Sequence, residues 1–202
     1  MAQITGAREL RTLYGDAKPK SVAKELTFLD NHCQRFIALS PFLLLATSDG
    51  QRLDVSPKGD GPGVAAVLDD RTLAIPDWPG NRRIDGLLNL IEHPGVGIIF
   101  LIPNVKETLR VNGRATIHDD ADLKARFETR GKLPITVLKV AVQEVFLHCA
   151  KALIRSDLWS PETWPDRSAL PTMGEMIKDH AEWDGPPEAQ DEMEDRQAKA
   201  LY

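Results

Sequence analysis

The chain has 202 residues, of which 42% are hydrophobic and 27% charged, and a formal net charge of -5. That composition suits one ordinary globular domain with a real core, and the acidic balance argues against a general binder of nucleic-acid backbone. No apolar run approaches the roughly 18 residues that a membrane helix needs.

Only two cysteines occur, Cys33 and Cys149, and the first twenty residues lack the apolar centre of a signal peptide. A cytoplasmic, reducing setting without a disulfide framework is expected. Residues 1–20 show little periodicity and read as an N-terminal arm that orders only against something else. From Ser21, residues Val22, Leu26, Leu29, Cys33, Phe36 and Ile37 recur at steps of three and four, with Pro41 beyond them. This predicts one amphipathic helix capped by Ser21.

Phe42 to Ser48 is a compact apolar run, Asp49-Gly50 is a two-residue hairpin signal, and Gln51 to Pro57 alternates with Leu53 and Val55 on one face. The pair predicts a β-hairpin. Lys58 to Gly63 is a loop, and Val64 to Leu68 a short strand. The stretch from Thr72 to Pro103 then reads as strand (Thr72–Ile75), loop (Pro76–Asn81), helix (Ile84–His93) and strand (Val96–Ile102).

Glu107 to Ile117 predicts a strand, a bend at Asn112-Gly113 and a second strand; Asp119 or Asp120 then caps a helix through Arg130. Ile135 to Leu147 alternates as a long strand with two largely apolar faces, so it either lies centrally or packs on a partner. Beyond Cys149 to Trp159 comes a Pro-rich irregular segment, a short helix from Thr172 to Glu182, and a polar, partly disordered tail. The expected organisation is an arm (1–20), one domain (21–183) and a tail (184–202).

Six or seven strands with few helices predict a mainly β (α+β) antiparallel barrel or curved sheet with helical decoration. The order of elements is not that of a doubly wound sheet. Neither G-x-G-x-x-G nor G-x-x-x-x-G-K-[ST] occurs, and no H-E-x-x-H or Ser-His-Asp order suggests hydrolysis. His32-Cys33 and His148-Cys149 lack zinc-ligand spacing, so no metal site is expected.

Four segments in this order carry a resemblance: FLLLATSDGQRLDVSPKGD, LAIPDWPGNRRIDGLLNLIEHPGVGIIFLIP, TLRVNGRATI and the KALIRSDLW that follows the closing strand. Together, over roughly Leu26 to Trp159, they resemble the pyridoxamine 5'-phosphate oxidase-like, FMN-binding split-barrel family. The resemblance implies a split β-barrel of the FMN-binding type with peripheral helices, forming a homodimer with FMN at the subunit interface. It also implies flavin-mediated hydride or electron transfer involving an unidentified small molecule, with NAD(P)H as a candidate donor. It maps Asn81, Arg82 and Arg83 onto the phosphate, and Asp54, Val55, Ser56 and Lys58 onto the flavin ring.

The residues themselves support part of this. Two cations at a helix N-terminus oppose the helix dipole unless an anion compensates; the bland alternative is a solvated helix start. Lys58 is either solvent-exposed or a cation tuning the flavin edge. Asp77 and Trp78, at a strand end, line the cofactor or cap the barrel. Lys106, Thr108 and Arg110 alternate on one strand face, either solvated or a basic wall across the dimer interface. Lys151, Arg155 and Trp159 fall at i, i+4 and i+8, a surface stripe or a wall of the cavity.

No catalytic acid or base is identifiable. The chain has DVSPK and NRR where pyridoxamine-phosphate oxidases proper carry an R-x-x-x-L-K strand motif and an S-R-K run, so the substrate stays open. The competing reading is the same barrel as a non-catalytic flavin- or haem-binding module for storage, sensing or partner contact.

Overall fold

The alternating apolar runs become seven strands in the computed structural model, which describes residues 3–202. They are β1 (Phe42–Ser48), β2 (Leu53–Gly59), β3 (Ala66–Asp69), β4 (Thr72–Asp77), β5 (Gly95–Leu101), β6 (Thr108–His118) and β7 (Thr136–His148). They form one sheet in the order β2-β1-β5-β6-β7-β4-β3, antiparallel at every pairing. The sheet curls until its far strands approach. Lys58 on β2 makes an ion pair with Asp77 at the end of β4, although no ladder joins those strands. This is the expected α+β split barrel, closed across its seam by side chains.

Around it lie α1 (Ala7–Tyr14), α2 (Pro19–Ala23), α3 (Asn31–Leu39), α4 (Asp85–Glu92), α5 (Ala121–Ala125), α6 (Lys151–Ser156), α7 (Met173–His180) and α8 (Gln190–Lys199). Leu43, Ile98, Phe100, Leu109, Val111, Leu138 and Val140 fill the barrel and are fully enclosed. Pro57 and Lys58 sit on edge strand β2, where a missing N–H costs no ladder bond and a charge discourages further pairing.

The single helix expected from Ser21 is broken. Leu26 leaves the helical path to exchange two backbone hydrogen bonds with Val145 of β7, at 2.8 and 2.7 Å. The true cap is Asp30, whose Oδ1 accepts the Cys33 N–H at 2.8 Å, so α3 starts at Asn31. Cys33 is buried beneath α3, and burial pushes its thiol up to about 12. Helix α1 in the N-terminal arm has no buried residue.

Other boundaries shift for local reasons. The β1–β2 connection is a four-residue loop, because Ser48 pairs with Leu53 and Asp49 Oδ1 accepts the N–H groups of Gln51 (2.8 Å) and Arg52 (2.6 Å). Strand β6 runs unbroken through Asn112-Gly113, where a register shift replaces the expected bend. Opposite it, Gln143 is the extra residue of β7: Asn112 pairs with Glu144 while Gly113 pairs with Val142. The insertion reverses the strand's phase, so Val142 and Val145 are buried and Glu144 escapes the core.

Helix α5 stops at Ala125, well short of Arg130, and the chain turns back through Arg130 and Gly131, both at positive φ. Helix α6 ends at Ser156, because Asp157 adopts a left-handed conformation. The tail expected to be polar and partly disordered carries α8, with Met193 buried.

Candidate functional site

A cavity of about 690 Å³ opens between β2, the end of β4, the following loop and the start of α4. Its size suits a cofactor-sized ligand. Strand alternation turns Asp54, Ser56 and Lys58 to the less exposed face of β2, while Leu53 and Val55 lie open at 84% and 61% exposure. Ser56 Oγ donates to Asp54 Oδ2 at 2.8 Å, and Lys58 pairs with Asp77 on the opposite side of the seam.

Helix α4 forms the floor. Leu90 anchors it in the core, and buried Asn89 donates through Nδ2 to Thr47 Oγ1 of β1 at 3.2 Å. Gly86 lets its first turn lie close to the strands: a Cβ there would stand 2.8 Å from Asp54 Oδ2 and 3.4 Å from Thr47 Oγ1. The sequence marks this glycine, since one in a helix costs about 1 kcal/mol relative to alanine and calls for a packing reason.

The approach to α4 is strained and uncapped. Arg82 and Ile84 have φ of 62° and 50°, a conformation costly for a β-branched side chain. Ile84 occupies the cap position and supplies no side-chain acceptor to the first-turn N–H groups. Asn81 Oδ1 accepts the Arg83 N–H at 3.0 Å and fixes the loop. Arg83 Nε lies 2.7 Å from Asp85 Oδ2, and that carboxylate raises the guanidinium pKa. Arg82 makes no ion pair among the described residues.

These features fit an anionic, ring-bearing cofactor. The uncapped first-turn amides and Arg82 suit an anionic acceptor, and Trp78 lends the wall an aromatic side chain, although its Nε1 is buried away from the cavity. Asp54, Val55, Ser56, Lys58, Asp77, Trp78, Asn81, Arg82 and Arg83 therefore share one cavity wall.

The remaining candidates do not line it. Lys106 lies in the loop before β6, not on the strand, so it shares no strand face with Arg110. Arg110 points outward, pairs with Glu144 and stacks 3.9 Å from the Phe146 ring centroid. Lys151 and Arg155 are exposed on α6. Trp159 lies past the end of that helix, its Nε1 donating to the Val105 carbonyl at 3.0 Å, so the three share no helical face.

The sequence reading missed Gly86, Asp85 and Tyr202. Tyr202 meets Trp78 edge-on, with ring centroids 4.8 Å apart; nothing local in a polar tail signals a partner 124 positions away.

Several solved structures are similar to this chain. HupZ from Group A Streptococcus aligns with 59% of this chain and 99% of its own at 20-odd per cent identity (21%) and a TM-score of 0.48. General Stress Protein 26 from Bacillus anthracis aligns with 57% of this chain and 93% of its own, at 16% identity and a TM-score of 0.44. An FMN-binding protein from Syntrophomonas wolfei aligns with 57% of this chain and 83% of its own, at 17% identity and a TM-score of 0.46. Comparison with curated protein sequences finds no significant match. The family model described as pyridoxamine 5'-phosphate oxidase matches residues 29–149, from the residue before the Asp30 cap to the end of β7 and so across the whole cavity wall. On that match, which spans more than half of the sequence, the chain belongs to the pyridoxamine 5'-phosphate oxidase family.

Proposed function

We propose that the cavity holds FMN and that the protein is an FMN-dependent oxidoreductase acting on a small molecule as a homodimer. The observation that carries this reading is the meeting, on the wall of one cavity, of the uncapped first turn of α4 and Arg82, which has no ion-pair partner among the described residues. Family membership supports the same cofactor class.

Asn81, Arg82, Arg83 and the α4 amides would hold the phosphate, and Asp54, Val55, Ser56, Lys58 and Trp78 would flank the ring. Bound FMN supplies hydride or electron transfer. Asp77 pairs with Lys58 and holds its ammonium along the wall. Lys106, Arg110, Lys151, Arg155 and Trp159 would reach this cavity only from a second copy of the chain. Leu53 and Val55, exposed beside the cavity on an edge strand, give that copy an apolar surface to cover.

The test is the absorbance spectrum of the purified protein, with the released cofactor identified by mass and the particle mass measured by light scattering. A flavin spectrum, FMN on release and a mass of two chains are expected. Bleaching by NADH or NADPH with reoxidation in air assigns turnover. Bound flavin that neither donor reduces assigns the non-catalytic module instead, and a colourless protein that takes up no FMN overturns the cofactor.

A further inference from the structure

Residues 184–202 lie beyond the family match, yet their far end returns to Trp78, a residue of the cavity wall. The segment leading into α8 crosses α7 so closely that a Cβ on Gly174 would stand 2.0 Å from the Glu188 carbonyl oxygen. Arg196 grips Glu188 with two hydrogen bonds of 2.8 Å, and Gln190 Oε1 accepts the Met173 N–H at 3.1 Å. A capping box between Thr172 and Glu175 fixes the start of α7. The pair of helices is thus a built platform from which the last described residues reach back to the barrel.

Tyr202 lands where the barrel is split. Its ring meets Trp78, just past β4, at 4.8 Å between centroids and 80° between planes. Its hydroxyl donates to Asp60 Oδ1, just past β2, at 2.5 Å. The Arg130 guanidinium lies 5.8 Å from the ring centroid. Strands β2 and β4 share no ladder, so one side chain bridges the two sides of the seam beside the Lys58–Asp77 pair. The bond to Asp60 also raises the phenol pKa, which keeps the donor protonated.

We infer that Tyr202 is a latch across the seam: it positions Trp78 against the cavity and slows release of the cofactor held there. This rests on the cavity being the flavin site. Tyr202 touches no reacting atom and acts through Trp78, so it is a positioning residue.

The experiment uses the full chain with Tyr202→Ala and Tyr202→Phe, each first shown to melt cooperatively like the wild type. Two quantities are read: the Trp78 indole N–H resonance of flavin-free protein, assigned with Trp78→Phe, and the FMN dissociation rate of loaded protein. Tyr202→Ala should shift the resonance and speed dissociation roughly 3- to 30-fold, through loss of an aromatic pair and a charge-assisted hydrogen bond. Tyr202→Phe, which keeps the ring, should fall between the two. An unmoved resonance in Tyr202→Ala overturns the contact, and a shifted resonance with an unchanged dissociation rate overturns the latch while the cavity's assignment stands. A wild type that takes up no FMN overturns the cavity's assignment and the retention role together.

Discussion

Arg82 and Arg83 are neighbours in sequence but not equivalent. Arg83 is held by Asp85, so it must exchange one anion for another to serve a phosphate, whereas Arg82 has no such competitor. Arg82→Ala should therefore weaken FMN binding roughly 10- to 100-fold, the worth of a hydrogen bond to a charged group, and Arg83→Ala less than about fivefold; titration followed by flavin fluorescence quenching gives both constants, and equal losses would contradict the distinction. This pair was legible in the sequence because two cations at a helix start are electrostatically misplaced without an anion. The pairing of Arg83 with Asp85 was not, since it depends on the left-handed turn at Arg82 and Ile84. Asp49 illustrates a second kind of residue-level control. The N–H groups of Arg52 and Gln51 bind its carboxylate and lower its pKa from 3.8 to about 2. A depressed carboxylate stabilises the fold above its unfolded value and loses that contribution as pH falls through the folded one. The stability difference between wild type and Asp49→Asn should accordingly be constant above about pH 4 and change progressively down to about pH 2. Urea midpoints measured across that range give the profile, and parallel curves would exclude the turn as the source.

At the scale of elements, strands were read more accurately than helices. The runs at Phe42, Val96 and Ile135 carry their period within a few residues, and packing reinforces it. The helix expected from Ser21 failed because Leu26 found backbone partners on β7, a competitor that no local pattern discloses. The β7 phase reversal did leave a trace: Glu144 is in step with the buried Val142, and Val145 resumes the apolar series one position late. Gly113 is the other half of that device. A Cβ there would stand 2.3 Å from the Ala141 carbonyl oxygen, and backbone cannot swing aside as a side-chain tip can. Gly113→Ala should cost about 2 kcal/mol or more and lower the melting temperature by roughly 4–8 °C; an unshifted melt would mean that the β6–β7 register relaxes freely. Gly86→Ala offers the contrast, because its obstacle is the mobile carboxylate of Asp54, so it should disturb the cavity wall more than the fold.

At the scale of the molecule, the sheet is strong in the middle and weak at one line. Strands β6 and β7 are each paired on both sides, while β2 and β3 are each paired on one, and β2 meets β4 through the Lys58–Asp77 pair alone among the described ion pairs. Backbone hydrogen bonds on the two sides of that line therefore open with different free energies. In amide hydrogen exchange, β6 and β7 should be the slowest segments, limited by global unfolding, and β2 should exchange by a local excursion that leaves them intact. Lys58→Met should quicken exchange in β2 and at the end of β4 without altering β6; uniform acceleration across the sheet would show that the barrel opens only as a whole. A seam that parts by itself would let the β2 wall of the cavity adjust its width to a ring-sized molecule while the β6–β7 core stays folded, so fit would be set at one edge strand and stability at the middle of the sheet.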